Sequence, residues 1–450
     1  MKYYSTNKQA PLASLQEAVI KGLASDKGLY MPERIKQLTD SFFKEMKDMS
    51  FQEIAYSVAD AFFGEDIEAD TLKSIVYDTL NFDTPIVKVK DNIYSLELFH
   101  GPTLAFKDVG ARFMARMLGY FIKKPLPASK KGRNSSPPEG ELEGVINVLV
   151  ATSGDTGSAV ANGFLGVQGI RVFVLYPKGK VSAIQECQFT TLGQNITALE
   201  IDGTFDDCQT LVKSAFMDDE LNKKMQLTSA NSINVARFLP QAFYYFYAYA
   251  QLAKQDKANE VVICVPSGNF GNITSGLFGK RMGLPVKRFI AANNKNDIFL
   301  KYLQTKEYTP RPSVATLANA MDVGDPSNFA RILALYDYNH DAICKDISGY
   351  RYLDDDIRTT IKNCYKETGY LLEPHGACGY QALLDELKPN ETGVFLETAH
   401  PAKFLETVES IIEEKIEIPE KLHAFMQGQK QSVELSKNFS DFKTFLMMGT

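Results

Sequence analysis

Apolar residues recur at helical spacing in the first part of the chain and in short continuous runs later, and this change of pattern organises the sequence. Leu15, Ala18, Val19, Gly22 and Leu23 share one face, as do Phe51, Ile54, Ala55, Val58 and Phe62, so each set predicts a helix with a core-facing stripe. Between them, Gly28, Leu29, Tyr30, Met31 and Pro32 read as a loop whose proline closes off any preceding helix. Residues 2–91 are therefore expected to be helix-rich, and they carry no candidate chemistry. Val109, Phe113, Met117 and Phe121 then fall at steps of four and predict a further helix, with Asp108 placed to suit its positive end. From residue 145 onward, β-branched runs alternate with helical stretches. Residues 145–151, 171–176, 260–265, 286–292 and 393–397 read as buried strands, while Phe205, Cys208, Leu211, Val212 and Ala215 line one face of a helix. Strand followed by helix, repeated, predicts an α/β protein with open parallel sheets covered on both faces. In such folds ligands sit beyond the carboxyl ends of the strands. Residues 123–144 break the pattern with four prolines and paired lysines, a composition that builds no core, and read as a mobile surface insertion.

Composition narrows the class. At 450 residues the chain is long for one core, which predicts two or three domains. A formal charge of -6 carries no basic excess, so neither nucleic acid nor an anionic membrane surface is indicated as a partner. The first residues lack a signal-peptide pattern, and the longest apolar run, 242–250, is too short to span a bilayer and reads as a buried tyrosine-rich helix. A cytoplasmic protein is expected. The six cysteines form no CxxC pair, which suits reduced, mostly buried thiols, and the five histidines contain no HExxH, so no zinc site is indicated.

Candidate chemistry collects at strand ends and helix starts. In the stretch ELFHGPTLAFKDVGAR, residues 97–112, Lys107 follows Leu104, Ala105 and Phe106 and precedes Asp108. A lone lysine is ordinarily a solvated surface residue. Here an apolar approach and a helix N-terminus both lower the amine pKa, leaving a neutral, nucleophilic fraction able to form a Schiff base. Two loops lie where such folds bind ligands. One, Thr152, Ser153, Gly154, Asp155, Thr156 and Gly157, joins a strand to a helix; the other is Pro266, Ser267, Gly268, Asn269, Phe270, Gly271 and Asn272. Their glycines and amides suit an anion such as a carboxylate or phosphate, although capping alone uses the same residues. Thr398 ends a strand, where a ligand or a simple helix cap accounts for it, the cap being the simpler reading. His400 reads as a satisfied structural histidine. Residues 229–237 include Asn231 and Ser232 and end in Arg237, which suits a phosphate clamp or an exposed polar helix start. A Schiff-base lysine with loops for a phosphate and a carboxylate fits pyridoxal phosphate handling an amino acid.

The motifs HGPTLAFKD at 100–108, ATSGDTG at 151–157, NSIN at 231–234, VPSGNFGN at 265–272, LANAMDVGDPSN at 317–328, EPHGA at 373–377 and TAHPAKF at 398–404 closely resemble the threonine synthase family, in its longer bacterial and fungal branch. The resemblance runs the length of the chain. It implies the tryptophan-synthase-β type of pyridoxal phosphate fold, fold type II. A helix-rich segment 1–95 would precede a smaller α/β domain, 96–225, and a larger one, 226–450, with the cofactor between them. Lys107 would carry the cofactor and act as principal acid and base; Gly268, Asn269, Phe270, Gly271 and Asn272 would cradle its phosphate; Thr398 would face the pyridine nitrogen. A neutral hydroxyl there would not protonate the ring as a carboxylate does. The loop of Ser153, Gly154, Asp155 and Thr156 would hold the substrate α-carboxylate or the cofactor 3′-oxygen. Relatives of this fold often have asparagine where this chain has Asp155, which leaves that side chain's partner open. The insertion at 123–144 is also longer than in the members most resembled. The implied reaction converts O-phospho-L-homoserine and water into L-threonine and phosphate, with protons leaving Cα and Cβ, phosphate leaving Cγ and water adding at Cβ. Arg237, with Asn231 and Ser232, is the candidate for stabilising the departing phosphate. Family precedent favours a monomer. Two alternatives stay open: another enzyme of the same cofactor fold, such as a serine or threonine dehydratase or an O-acetylserine sulfhydrylase, and a non-catalytic pyridoxal phosphate or amino-acid sensor. The retained lysine and the lack of a DNA-binding segment count against the sensor.

Overall fold

The computed structural model describes residues 1–123 and 145–448, so all but the first residue of the insertion expected at 123–144 lies outside the described residues. Two parallel sheets carry the architecture. The first has five strands in the order Val433–Ser436, Ile196–Asp202, Ile170–Pro177, Ile146–Ala151 and Gln226–Ser229, every pair parallel. The second has six, in the order Ile347–Arg351, Arg288–Asn293, Val261–Pro266, Thr392–Glu397, Ile93–Glu97 and Ile86–Lys90; only the last pair is antiparallel. Ile146–Ala151, Val261–Pro266 and Thr392–Glu397 are buried at every residue, as strands covered on both faces must be.

The sheets do not follow the chain in a single pass. Ile93–Glu97 belongs to the six-stranded sheet, Gln226–Ser229 completes the five-stranded one, and Val433–Ser436 returns to the outer edge of the latter. The sheet assignments therefore cross the expected boundaries at 95 and 225.

In the first segment, Leu15–Lys21 and Phe51–Phe63 are helices, each opened by a serine and a glutamate that exchange capping hydrogen bonds: Ser14 with Glu17 and Ser50 with Glu53. Residues 28–32 correct the expectation of a plain loop. Tyr30–Pro32 is a strand paired antiparallel with Lys2–Ser5 in a three-stranded sheet. Its proline stands at the sheet edge, where a missing N–H is tolerated. The run expected at 242–250 is the helix Ala242–Lys254, and the cysteines are free thiols, four of the six buried.

The helix Lys107–Lys123 packs closely against its neighbours because two contacts involve glycines. A Cβ at Gly163 would lie 3.0 Å from the Ala111 backbone, and one at Gly110 would lie 2.2 Å from the Arg237 carbonyl oxygen. These approaches bring Asp155–Phe164 and Val235–Phe238 against the lysine-bearing helix.

Candidate active site

A cavity of about 390 Å³ opens beyond the carboxyl ends of strands from both sheets, bounded by Ala151, Pro266 and Thr398. That size suits a cofactor with its substrate. Three helices begin at its rim, Lys107–Lys123, Asp155–Phe164 and Gly271–Arg281, and the amides of each first turn have no partner inside the helix. Positive helix ends thus face a common space.

Lys107 lines this cavity with its ammonium nitrogen 5.7 Å from the Phe106 ring centre. Its pKa is lowered to about 8, chiefly by burial, with the Arg237 and Lys403 charges adding to that effect against the opposing pull of Asp155 and Glu373. The sequence argument for a partly neutral amine is matched by its surroundings. The segment before it is fixed by backbone pairing, since Phe106 N–H donates to the Thr398 carbonyl at 2.9 Å and His400 N–H to the Leu104 carbonyl at 3.1 Å. Buried Asp108 accepts from both Thr103 N–H (2.9 Å) and Thr103 Oγ1 (2.6 Å), which closes the turn ahead of the helix.

The phosphate-type loop folds as its glycines predict. Phe270 adopts a left-handed backbone, φ 60°, and turns its ring onto Phe299, so it can offer a ligand only its backbone. A Cβ at Gly268 would meet Met321 Cα at 2.7 Å, and one at Gly271 would meet Ser232 Cβ at 2.9 Å. Asn269 donates to Ser232 Oγ at 2.7 Å and accepts from Ser327 N–H at 2.7 Å, which braces the loop against the 231–232 turn. Beneath them lies Arg331, fully buried, bonded to the carbonyls of Tyr30, Ser232 and Ile233 and to Asn328 Oδ1, with its guanidinium 3.9 Å from the Phe238 ring centre.

Of the residues singled out from sequence, Lys107, Ser153, Thr156, Asn231, Ser232, Arg237, Gly268, Asn269, Phe270, Gly271, Asn272 and Thr398 line one cavity; Gly154 and Asp155 do not. Gly154, at φ 145°, is packed against the Gln185 side chain. Asp155 turns away into a buried ion pair with Lys403, 2.6 Å apart, and accepts from Gln185 Nε2 at 2.9 Å. Burial alone would raise its pKa, but Lys403 and Lys107 outweigh that and hold it well below the usual carboxylate range. The open question of what Asp155 contacts is thereby answered. Lys403 also donates to the Thr103 carbonyl at 2.8 Å, tying this pair to the turn before Lys107. Arg237 is buried, and two of its nitrogens donate to the carbonyls of Ala230 and Lys107. The 229–237 stretch is therefore no exposed helix start. His400 accepts from Ala402 N–H at 3.1 Å, and burial with nearby His100 and Lys403 lowers its pKa to about 4, the satisfied histidine expected.

Sequence reading assigned no role to several residues at the site. Gln209 and Lys213, four apart on Phe205–Met217, reach the cavity, as do Asp322 and His375. Burial raises Asp322 to about 6. The Gln209 and Lys213 spacing was visible as a polar stripe beside the apolar face of that helix; Asp322 and His375 stood inside quoted motifs without a chemical argument.

The residues of the cavity fit pyridoxal phosphate. Among the described residues, Asn272 Nδ2 is buried without a partner while its Oδ1 accepts from Tyr244 (2.7 Å) and Tyr245 (2.6 Å) hydroxyls, leaving an amide NH2 to be satisfied in a loop already shaped for an anion.

Comparison with known proteins agrees along the whole chain. Three family profiles match: "Threonine synthase N terminus" over residues 2–80, "Pyridoxal-phosphate dependent enzyme" over 78–398 and "Threonine synthase, C-terminal" over 376–446. A threonine synthase from Haemophilus influenzae is 44% identical over 447 residues, covering 99% of this chain and all of the relative. One from Saccharomyces cerevisiae is 36% identical, covering 97% of this chain and 96% of the relative. Among solved structures, threonine synthase from Escherichia coli superposes with a TM-score of 0.90 at 41% identity, covering 100% of both chains. PLP-bound threonine synthase from Brucella melitensis does so with 0.89 at 34%, covering 100% of this chain and 99% of the other. Maize serine racemase, at a TM-score of 0.51 and 16% identity over 73% of this chain and 93% of its own, shares the fold alone.

Proposed function

The chain belongs to the threonine synthase family of pyridoxal-phosphate-dependent enzymes, and we propose that it converts O-phospho-L-homoserine and water into L-threonine and inorganic phosphate. The observation that carries this reading is Lys107, an amine with its pKa lowered to about 8, set in one cavity with two amide-rich helix starts. Bound pyridoxal phosphate supplies an electron sink for negative charge developing on the amino acid. Gly268, Asn269, Gly271 and Asn272, with the Phe270 backbone, hold the cofactor phosphate at the start of Gly271–Arg281. Thr398 would lie at the ring nitrogen. Ser153 and Thr156 hold the substrate α-carboxylate at the start of Asp155–Phe164. Lys107 would hold the cofactor, and its amine would move protons at the substrate carbons, work that needs an amine titrating near neutral pH.

Arg237, Asn231 and Ser232 bind the substrate phosphate and stabilise it as it leaves. Arg237 acts as a buried charge already fixed by the Ala230 and Lys107 carbonyls, so it reorganises little during the step. Purified enzyme supplied with O-phospho-L-homoserine is expected to release phosphate and threonine in equal amounts. Consumption of serine or threonine to an oxoacid, with phosphohomoserine inert, would move the chain to a dehydratase. Among the described residues no helix is long and apolar enough to cross a membrane. With a charge of -6 and no basic excess, a cytoplasmic enzyme free of nucleic-acid and membrane partners is the reading proposed, working as a monomer. We further propose that segments 1–95, 96–225 and 226–450 act as its working units, with Gln226–Ser229 and the return strand Val433–Ser436 attached to the second and the strands Ile86–Lys90 and Ile93–Glu97 to the third.

A further inference from the structure

Thr398 does not present a free hydroxyl to the cavity. Its Oγ1 donates to Glu373 Oε1 at 2.8 Å. Glu373 is fully buried and receives three more donors: Gly376 N–H on Oε1 (3.0 Å), His375 N–H on Oε2 (2.8 Å) and the His375 ring at Nδ1 (2.5 Å). The direction of the last bond is fixed by the other ring nitrogen. His375 Nε2 accepts from Ala320 N–H at 3.1 Å, so in the neutral ring the proton sits on Nδ1 and points at Glu373. Both carboxylate oxygens of Glu373 are thus acceptors, and Glu373 has no proton to lend Thr398.

A second carboxyl explains where a proton resides in this cluster. Glu397 is fully buried; its Oε1 accepts from Glu373 N–H at 2.6 Å and its Oε2 has no partner among the described residues. Burial, reinforced by the Glu373 and Glu97 charges, raises Glu397 well above the usual carboxylate range. Glu373 has donors on both oxygens, as a carboxylate requires, whereas Glu397 keeps one bare oxygen that can carry a proton. Gly376 makes the pair possible, since a Cβ there would lie 1.7 Å from Glu397 Oε2. Lys107 and Cys378 also feel the Glu373 charge, and Asp322 that of His375.

We propose that Glu373, acting through Thr398, is a positioning residue that turns a hydroxyl lone pair toward the cavity and so holds the cofactor ring nitrogen in its protonated, pyridinium form. The proposal rests on the placement of Thr398 at that nitrogen given above, and it reverses the sequence expectation that a hydroxyl there leaves the ring unprotonated. A hydroxyl whose own proton is committed can only accept from the other side, and the Glu373 anion one bond further back offsets the pyridinium charge. Protonation strengthens the electron sink that removal of two carbon-bound protons requires.

The test is the nitrogen NMR signal of holoenzyme reconstituted with pyridoxal phosphate labelled with ¹⁵N in the ring. Wild type is expected at the pyridinium position, Glu373→Gln and Thr398→Val at the unprotonated position, and Thr398→Ser with wild type. An unprotonated signal in wild type overturns the proposal, as does a Glu373→Gln signal unchanged from wild type. If Glu373→Gln does not fold, the Thr398→Val and Thr398→Ser pair decides, because loss of the pyridinium signal must track loss of the hydroxyl. A Thr398→Val signal identical to wild type overturns the placement of Thr398 itself. Failure of wild type to take up cofactor at all marks instead the failure of the proposed function.

Discussion

Lys403→Met removes the cation bonded to Asp155 and leaves the carboxylate stranded. The pair is 2.6 Å apart with side chains 0% and 4% exposed, so water cannot replace the lost partner. Breaking such a pair from one side costs about 3–5 kcal/mol. An independent route gives a similar figure. The stranded carboxyl can escape by taking a proton, and neutralising an acid of ordinary pKa near 4 at pH 7 costs roughly 4 kcal/mol. The sign with pH follows from the depressed pKa of Asp155. Its contribution is fully present above the unfolded value near 3.9 and is lost as pH falls through the lower folded value. In Lys403→Met the stranded Asp155 carboxyl takes up a proton on folding, at a cost that shrinks as pH falls toward the unfolded value. The gap from wild type is therefore expected to narrow on acidification toward pH 4, while wild type itself loses the contribution of the pair only below that. The double variant Lys403→Met with Asp155→Asn, which leaves no charge behind, is expected to recover most of the loss. The chain has 21 tyrosines and no tryptophan, so urea unfolding is followed by tyrosine emission and far-UV circular dichroism, whose coincidence checks for a single transition. A single-variant cost under about 1 kcal/mol, or a gap that ignores pH, would refute the reasoning that the pair is buried and charged.

Cofactor capture by apoprotein is expected to rise with pH through a midpoint near 8, because the lowered pKa of Lys107 frees its amine there. At pH 7 roughly a tenth of such an amine is neutral, against about 0.03% for an ordinary lysine, and a capture profile still climbing at pH 10 would contradict this. Arg331→Lys loses the planar fork that serves three carbonyls and Asn328, and is expected to lower stability by about 2–4 kcal/mol and weaken cofactor affinity; equilibrium unfolding and cofactor titration measure both. Arg237→Ala is expected to cut kcat/KM for phosphohomoserine by about 10²–10³ while the protein still takes up pyridoxal phosphate. Activity equal to the parent would remove Arg237 from the phosphate site.

Local signals were the legible ones. The four-step run Val109, Phe113, Met117 and Phe121 located the helix that begins at Lys107, and fully apolar strands such as Val261–Pro266 announced themselves. Strands with weaker texture did not. Val433–Ser436 is an edge strand with half its residues exposed, so it carries no apolar run, and Tyr30–Pro32 is short and closed by a proline that suggested a loop. At the site, the lysine and the two glycine loops could be read because backbone conformation constrains residue type there. Asp155 with Lys403 could not, since the partners are far apart in sequence and a carboxylate after a glycine looks like an anion-loop or capping residue. Glu373 and His375 stood in a quoted motif, but their work is done on Thr398, which only folding brings near.

The central claim is that Lys107 is the residue that carries pyridoxal phosphate. Borohydride reduction of the purified holoenzyme, followed by peptide mass mapping, tests it most directly. The account predicts the reduced cofactor on the peptide containing Lys107 and loss of the visible absorption band in Lys107→Ala. Cofactor mass on a different lysine, or a band that survives in Lys107→Ala, would contradict it.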